Sequence, residues 1–377
     1  MDNFIVSARK YRPSTFNSVV GQQSITSTLK NAIRSGQVAQ AFLFCGPRGV
    51  GKTTCARIFA KALNCEHMTE DFEPCNECPS CKQFNESTSF NVYELDAASN
   101  NSVEDIRALV DQVRIAPQGA KYKVYIIDEV HMLSNQAFNA FLKTLEEPPA
   151  YAKFILATTE KHKIIPTILS RCQVYDFKRI KDDDMIRHLQ FVAQSEGVQA
   201  ETEALRVVAA KADGALRDAL SIFDQLVSFT GNNITYEATI ENLNVLDVNQ
   251  YIRMTDYLFS EDTNSFLLLF DEILAKGFDG QHFISGLATH FRNLLMAQSN
   301  ETIRLIEVSE SVKNKFGEQA KKVDRQLLLR ALELCNQCDF NYKLSNSKRI
   351  SVEICLMQIN ANYLYKAKAV VRQSRER

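Results

Sequence analysis

Through the first half of the chain, short runs of β-branched and aromatic residues alternate with stretches whose apolar positions recur every three or four residues. The runs fall at residues 41–45, 91–95, 123–127, 153–158 and 173–177. Strands separated by segments of helical period are the order expected of a five-stranded parallel sheet covered by helices. An α/β domain over residues 1–178 follows.

From residue 182 the strand pattern gives way to helical spacing. Residues 182–194, 201–212 and 216–229, punctuated by Gly197, Gly214 and Gly231, read as a three-helix domain over 179–243. Helical spacing continues at 248–259, 264–276, 280–296, 325–335 and 348–366, an all-α bundle over 244–367 in which no residue pattern looks catalytic. The end of the chain, 368–377, is charged and expected to fray.

Composition narrows the function classes. Apolar residues are 45% and charged residues 24% of 377, a globular balance that excludes wholesale disorder. A net charge of -1 excludes nucleic-acid binding by bulk charge, though not through a local basic surface. No apolar run reaches the ~18 residues of a membrane span and the first residues lack a signal-peptide core, so a cytoplasmic protein is expected. In that reducing compartment the ten cysteines are expected as metal ligands or buried residues rather than disulfides.

Glycine is scarce, yet three of the thirteen fall within six residues, at Gly46, Gly49 and Gly51. They belong to Gly46-Pro47-Arg48-Gly49-Val50-Gly51-Lys52-Thr53, a full GxxxxGK[ST] match between an expected strand and an expected helix beginning at Thr54. Such a loop curls backbone amides around phosphate oxygens, places Lys52 on the β- and γ-phosphates and gives Thr53 to Mg²⁺. Downstream, KVYIIDEVH ends an apolar strand in two acids. A parallel strand presents its C-terminal end to ligand, so Asp128 suits the Mg²⁺ shell and Glu129 the polarisation of water, while His131 packs or couples beside them. Cys65, Cys75, Cys78 and Cys81 offer four thiolates within seventeen residues, enough to close a structural Zn²⁺ site, with a redox pair or His67 in place of Cys65 as the rivals. Loss of that metal is expected to loosen residues 65–81 and spare the phosphate loop. Cys335 and Cys338, with no second pair nearby, are expected in a core.

Taken together, these motifs resemble the AAA+ ATPases of the clamp-loader branch, most closely the gamma/tau family of bacterial DNA polymerase III. The resemblance rests on RKYRP (9–13), FNSVVGQ (16–22), GPRGVGKT, the four-cysteine insert, ELDAASNNSVEDIR (94–107), IIDEVHMLSNQAFNAFLKTLEEPP (126–149), ILATTE (155–160), ILSRC (168–172) and DGALRDALS (213–221). It implies an AAA+ domain with a zinc module at 65–81, a helical lid and a collar that oligomerises. ATP would be held by residues 46–54, with Thr54 at its end, and by Tyr11, Arg12 and Val20. Thr159 falls at the family's sensor 1 position and Arg217 at sensor 2. Arg171 is implied as an arginine finger given to a neighbouring subunit. Arg107, Lys143, Ser102 and Ser134 fall where relatives face DNA.

The implied activity is ATP hydrolysis within the DNA-directed DNA polymerase holoenzyme, opening a sliding clamp and loading it on primer-template DNA. The implied partners are delta- and delta-prime-type subunits in a hetero-pentamer. A non-hydrolysing structural subunit and an AAA+ helicase motor are the alternatives. Two departures stand out. Residues 100–102 read Asn-Asn-Ser where relatives carry basic residues, and tau-length members extend beyond the position of Arg377.

Overall fold

The computed structural model describes residues 5–375 except 307 and 309. It divides into two compact units, one up to Thr235 and one from Tyr236 onward.

The first unit runs α1 (Ser7–Lys10), α2 (Gln23–Arg34), β1 (Ala41–Cys45), α3 (Lys52–Leu63), α4 (Pro79–Asn85), β2 (Val92–Asp96), α5 (Val103–Val113), β3 (Lys123–Asp128), α6 (Asn135–Glu146), β4 (Ala152–Thr158), α7 (Pro166–Leu169) and β5 (Gln173–Asp176). All five expected strands form, within a residue or two of the expected limits, in one parallel sheet of order β2-β3-β4-β1-β5. Successive residues of the central strands enter opposite cores. Phe42, Phe44, Ile126 and Ile155 pack with Cys55, Ile58 and Phe59 of α3. Leu43, Tyr125, Ile127 and Phe154 pack with Ile106 of α5 and Phe138 and Phe141 of α6. Both faces are covered, which is why β1 is apolar throughout, β4 apolar but for Lys153 and Thr158, and both are buried at every residue. Each buried Phe contributes roughly 1.5–3 kcal/mol.

Three helices complete this unit: α8 (Asp182–Glu196), α9 (Thr202–Ala212) and α10 (Leu216–Thr230). The strand pattern does not end at residue 182, however. Two two-residue strands, β6 (Gln199–Ala200) and β7 (Asn233–Ile234), pair in parallel and tie the start of α9 to the end of α10. Pieces this short carry no periodicity to read.

The second unit comprises α11 (Tyr236–Asn242), α12 (Val248–Leu258), α13 (Ser265–Ala275), α14 (Gly280–Ala297), α15 (Glu310–Ala320), α16 (Arg325–Tyr342) and α17 (Lys348–Arg375). Its core gathers Phe266, Phe270, Phe283, Leu287, Phe291, Leu334 and Leu356 with Cys335, Cys338 and Cys355, so the CxxC pair is buried as expected. Helix α15 has no counterpart in the sequence reading. Its residues are mostly polar with Gly317 inside, and Phe316, packed edge-on to the His290 ring at 5.2 Å, holds it in place. Helix α17 also continues to Arg375, through most of the stretch expected to fray; residues 376 and 377 lie outside the described residues.

Candidate active site

Because the strands are parallel, β1, β4 and β3 deliver their C-terminal ends side by side to one edge. The loop 46–51 leaves β1 there and enters α3, whose N-cap Gly51 has φ 101°. Two of the glycines are required by packing. A Cβ at Gly46 would lie 2.5 Å from the Phe177 carbonyl oxygen, and one at Gly49 would lie 2.9 Å from Ala215 Cβ.

Lys52 is buried and donates to the Gly46 and Pro47 carbonyls, both at 2.8 Å. Its burial lowers its pKa, against the opposing influence of Glu129 and Asp128. One residue on, Thr53 Oγ1 at the start of α3 donates to Asp128 Oδ2 at the end of β3 at 2.5 Å. A hydroxyl and a carboxylate oxygen so placed are hard oxygen donors fitting two positions of a Mg²⁺ shell.

Glu129 takes up a left-handed backbone with φ 45°. That turn swings its carboxylate toward the end of β4, where Oε2 accepts from Thr159 N at 3.2 Å and Thr159 Oγ1 at 2.9 Å. His131 couples to this group. Its Nδ1 lies 3.0 Å from Thr158 Oγ1 and 3.4 Å from Glu129 Oε2, and its Nε2 lies 3.2 Å from Glu160 Oε2.

Lys52, Thr53, Asp128 and Glu129 border a cleft of about 500 Å³. Residues 48–54, Asp128 and Glu129 form one side, and Tyr11, Arg12, Val20 and Arg217 also line it. The same cleft takes in Ala8, Pro13, Val19, Asp96, Ala98, Ile180, Leu216 and Leu220, to which the sequence assigned no individual role. These are mostly apolar positions from separate segments, each unremarkable until folded together. Desolvation, with the charges of Arg57 and Arg217 close by, lowers the Arg12 pKa, and an anion placed between these cations would relieve that cost.

Arg171 lies elsewhere. Beyond the end of α7, its guanidinium bonds the Glu146 carboxylate at 2.7 Å and the Thr167 carbonyl at 2.8 Å, and it is absent from the lining of its own chain's cleft.

The cysteine sulfurs of residues 65, 75, 78 and 81 lie within 4.8 Å of one another, with 3.5 Å from Cys65 to Cys75 and 3.9 Å from Cys75 to Cys81. A tetrahedral metal at about 2.3 Å from each sulfur sets sulfur pairs ~3.8 Å apart, so the donor set fits Zn²⁺. Amides of Cys75, Cys78 and Cys81 point at the sulfurs of Cys65, Cys75 and Cys78, at 3.3, 3.3 and 3.4 Å. His67 is not in the cluster.

Ser102 and Ser134 are the N-caps of α5 and α6, accepting from the Asp105 and Ala137 amides. The two N-termini are neighbours, with Ser134 N donating to the Asn101 carbonyl at 3.4 Å. Glu104 and Asp105 already occupy the first turn of α5, whereas that of α6 has no acid, so α6 is the better seat for an anion. Arg107 and Lys143 are exposed on the same two helices.

The chain is similar to known proteins over most of its length. Residues 21–181 match a family model described as "DNA polymerase III, delta subunit", and residues 184–232 one described as "DNA polymerase III clamp loader subunit, ATPase lid domain". DNA polymerase III subunit tau of Bacillus subtilis is 41% identical over 93% of this chain, which spans 62% of that protein. DNA polymerase III subunit gamma of Buchnera aphidicola (subsp. Baizongia pistaciae) is 34% identical over 95% of this chain and 97% of its own length. Among solved structures, the Thermotoga maritima RuvB Holliday junction branch migration motor aligns with 66% of this chain and 80% of its own at 19% identity, with a TM-score of 0.47, too low to carry an argument.

Proposed function

The chain belongs to the gamma/tau family of DNA polymerase III clamp-loader subunits, and we propose that it is an ATP-hydrolysing motor that opens a sliding clamp and loads it on primer-template DNA. One observation carries the hydrolytic part: Glu129, held by Thr159, lines one cleft with the Thr53–Asp128 pair and the buried Lys52. A subunit without hydrolytic work has no need of that complete set.

Bound Mg²⁺ would neutralise phosphate charge. Thr53 and Asp128 would hold it, while the loop amides and Lys52 cradle the phosphates. The apolar wall from Val19, Val20, Ile180 and Leu216 suits the base. Glu129 orients and polarises the attacking water, and Thr159, at the edge of the same group, holds the carboxylate in register. Arg217, entering from α10, links the lid to the phosphates. Arg171, which does not line its own chain's cleft, would serve a neighbouring subunit, as the family resemblance implies.

The cytosolic partners proposed are delta- and delta-prime-type subunits in a hetero-pentamer, with self-association through the second unit. Exposed Phe340, Leu344, Ile354 and Met357 supply apolar surface for that contact. DNA would be met through its backbone by Arg107, Lys143 and the N-termini capped by Ser102 and Ser134. Zn²⁺ in the cysteine module is structural. Steady-state ATPase measured with and without clamp, primed DNA and partner subunits tests the whole: stimulation requiring all of them is expected. An equal rate for the isolated chain rejects the motor reading.

A further inference from the structure

Between Cys65 and Cys75 lies a carboxylate that takes no part in the metal cluster. Glu73 is buried, and its backbone is pinned inside the module by reciprocal bonds with Thr69, both at 3.0 Å. Its side chain leaves the module. Oε2 accepts from Phe16 N at 2.7 Å, and Oε1 accepts from Asn17 N at 2.8 Å and pairs with Lys30 Nζ of α2 at 2.6 Å.

The segment so held has no regular secondary structure between α1 and α2. Phe16 turns back through its carbonyl, which accepts from Val19 N at 3.2 Å, and Val19 and Val20 then line the cleft. The far end is fastened by Gln22, which donates to the Lys178 carbonyl at 2.7 Å and to that of Val50 at 3.4 Å. Glu73 and Gln22 are therefore polar anchors at the two ends of the strap that brings Val19 and Val20 to the apolar wall, and Lys30 Nζ adds a bond to Asn17 Oδ1 at 2.8 Å. The phosphate loop meets the strap at Val50, through the far anchor Gln22, and is otherwise held through α3, buried against the sheet.

We infer that the cysteine module braces the base side of the nucleotide cleft, with Glu73 as the positioning residue that transmits its order to Val19 and Val20. The inference rests on reading the cleft as a nucleotide site and adds a role for the module. It also makes the effect selective: losing the brace weakens contacts to the nucleoside and leaves contacts to the phosphates.

The test uses the full chain loaded with zinc. In Glu73→Gln an amide donor faces one of the two backbone N–H groups. That variant should retain one zinc per chain, bind ATP about tenfold more weakly and bind inorganic tripolyphosphate within about twofold of the unmodified chain. Coupling is reciprocal, so saturating ATP should also shift the equilibrium by which a chelator strips zinc from the unmodified chain, with Lys52→Ala as the control for free ATP. If Glu73→Gln does not fold, this second measurement decides. Unchanged ATP affinity in a zinc-loaded Glu73→Gln chain, or a chelator equilibrium indifferent to ATP, overturns the inference. An unmodified chain that fails to bind ATP overturns the cleft's assignment, and the inference with it.

Discussion

Glu129 combines an unfavourable backbone conformation with a well-supported side chain. A left-handed φ costs a residue with a Cβ on the order of 1–3 kcal/mol, and here it turns the carboxylate from the strand direction onto Thr159. If this placement serves water activation, Glu129→Gln keeps ATP affinity and lowers turnover by ~10²–10⁴. Thr159→Val keeps the backbone N–H but loses the hydroxyl, so a smaller fall of about tenfold, with affinity unchanged, is expected. Lys52→Ala removes the buried cation of the loop and should abolish nucleotide binding. Equilibrium ATP binding and steady-state hydrolysis on the three variants separate these roles; an active Glu129→Gln chain would sink the base assignment.

At the scale of elements, α7 and the start of β5 carry an arginine away from the cleft that their own sheet forms. Its partner Glu146 is on the surface, where such a pair is worth only about 0–1 kcal/mol, so a phosphate can displace it at little cost. Arg171→Ala should leave ATP affinity of the isolated chain intact and remove ~10³-fold of hydrolysis in the assembly. Mixed assemblies of Arg171→Ala and Lys52→Ala chains should regain activity where an intact cleft meets an intact arginine. No recovery at any ratio, with assembly verified, would return Arg171 to a structural role. Helices α5 and α6 pack together with their N-termini adjacent. Joint Arg107→Ala and Lys143→Ala substitution should reduce DNA stimulation and flatten its salt dependence by about one to two phosphate contacts; an unchanged salt slope would remove both residues from the DNA surface.

Over the whole molecule, the second unit has its own condition of stability. His290 is buried at the centre of α14, its Nε2 2.9 Å from Gln319 Oε1, and Gln319 Nε2 donates in turn to Asp256 at 2.8 Å. Tyr251 and Phe316 close around the ring. Burial depresses the imidazole pKa to about 4, against weaker opposing effects from Gln319 and Asp256. An unfolded histidine titrates near ~6.5, so between these values the unfolded chain binds the extra proton. Stability is then complete above pH ~6.5 and falls as the pH drops toward 4, by roughly 3 kcal/mol for the full shift. Denaturant melts from pH 7 to 4.5 should show this loss, and His290→Gln should be less stable at pH 7 but flatter with pH. A pH slope unchanged by the substitution would assign the loss to other groups.

The order of strands and helices, the phosphate loop, the acid pair and the cysteine cluster were legible in the sequence because each is written in consecutive residues. A full GxxxxGK[ST] between strand and helix, or four cysteines in seventeen residues, states its chemistry without knowledge of distant neighbours. Tertiary structure alone decided the rest. Helix α15 exists because Phe316 finds His290, and the cleft gains Leu216 and Leu220 from α10 and Ile180 from the segment before α8 only once the chain is folded. Glu73 is the plainest case: in sequence it is one more acid inside an insert, and its meaning depends on amides 56 and 57 residues away. Local pattern encodes periodicity and motif chemistry, but which buried polar group meets which backbone donor is settled by packing, through the cost of leaving either unpaired.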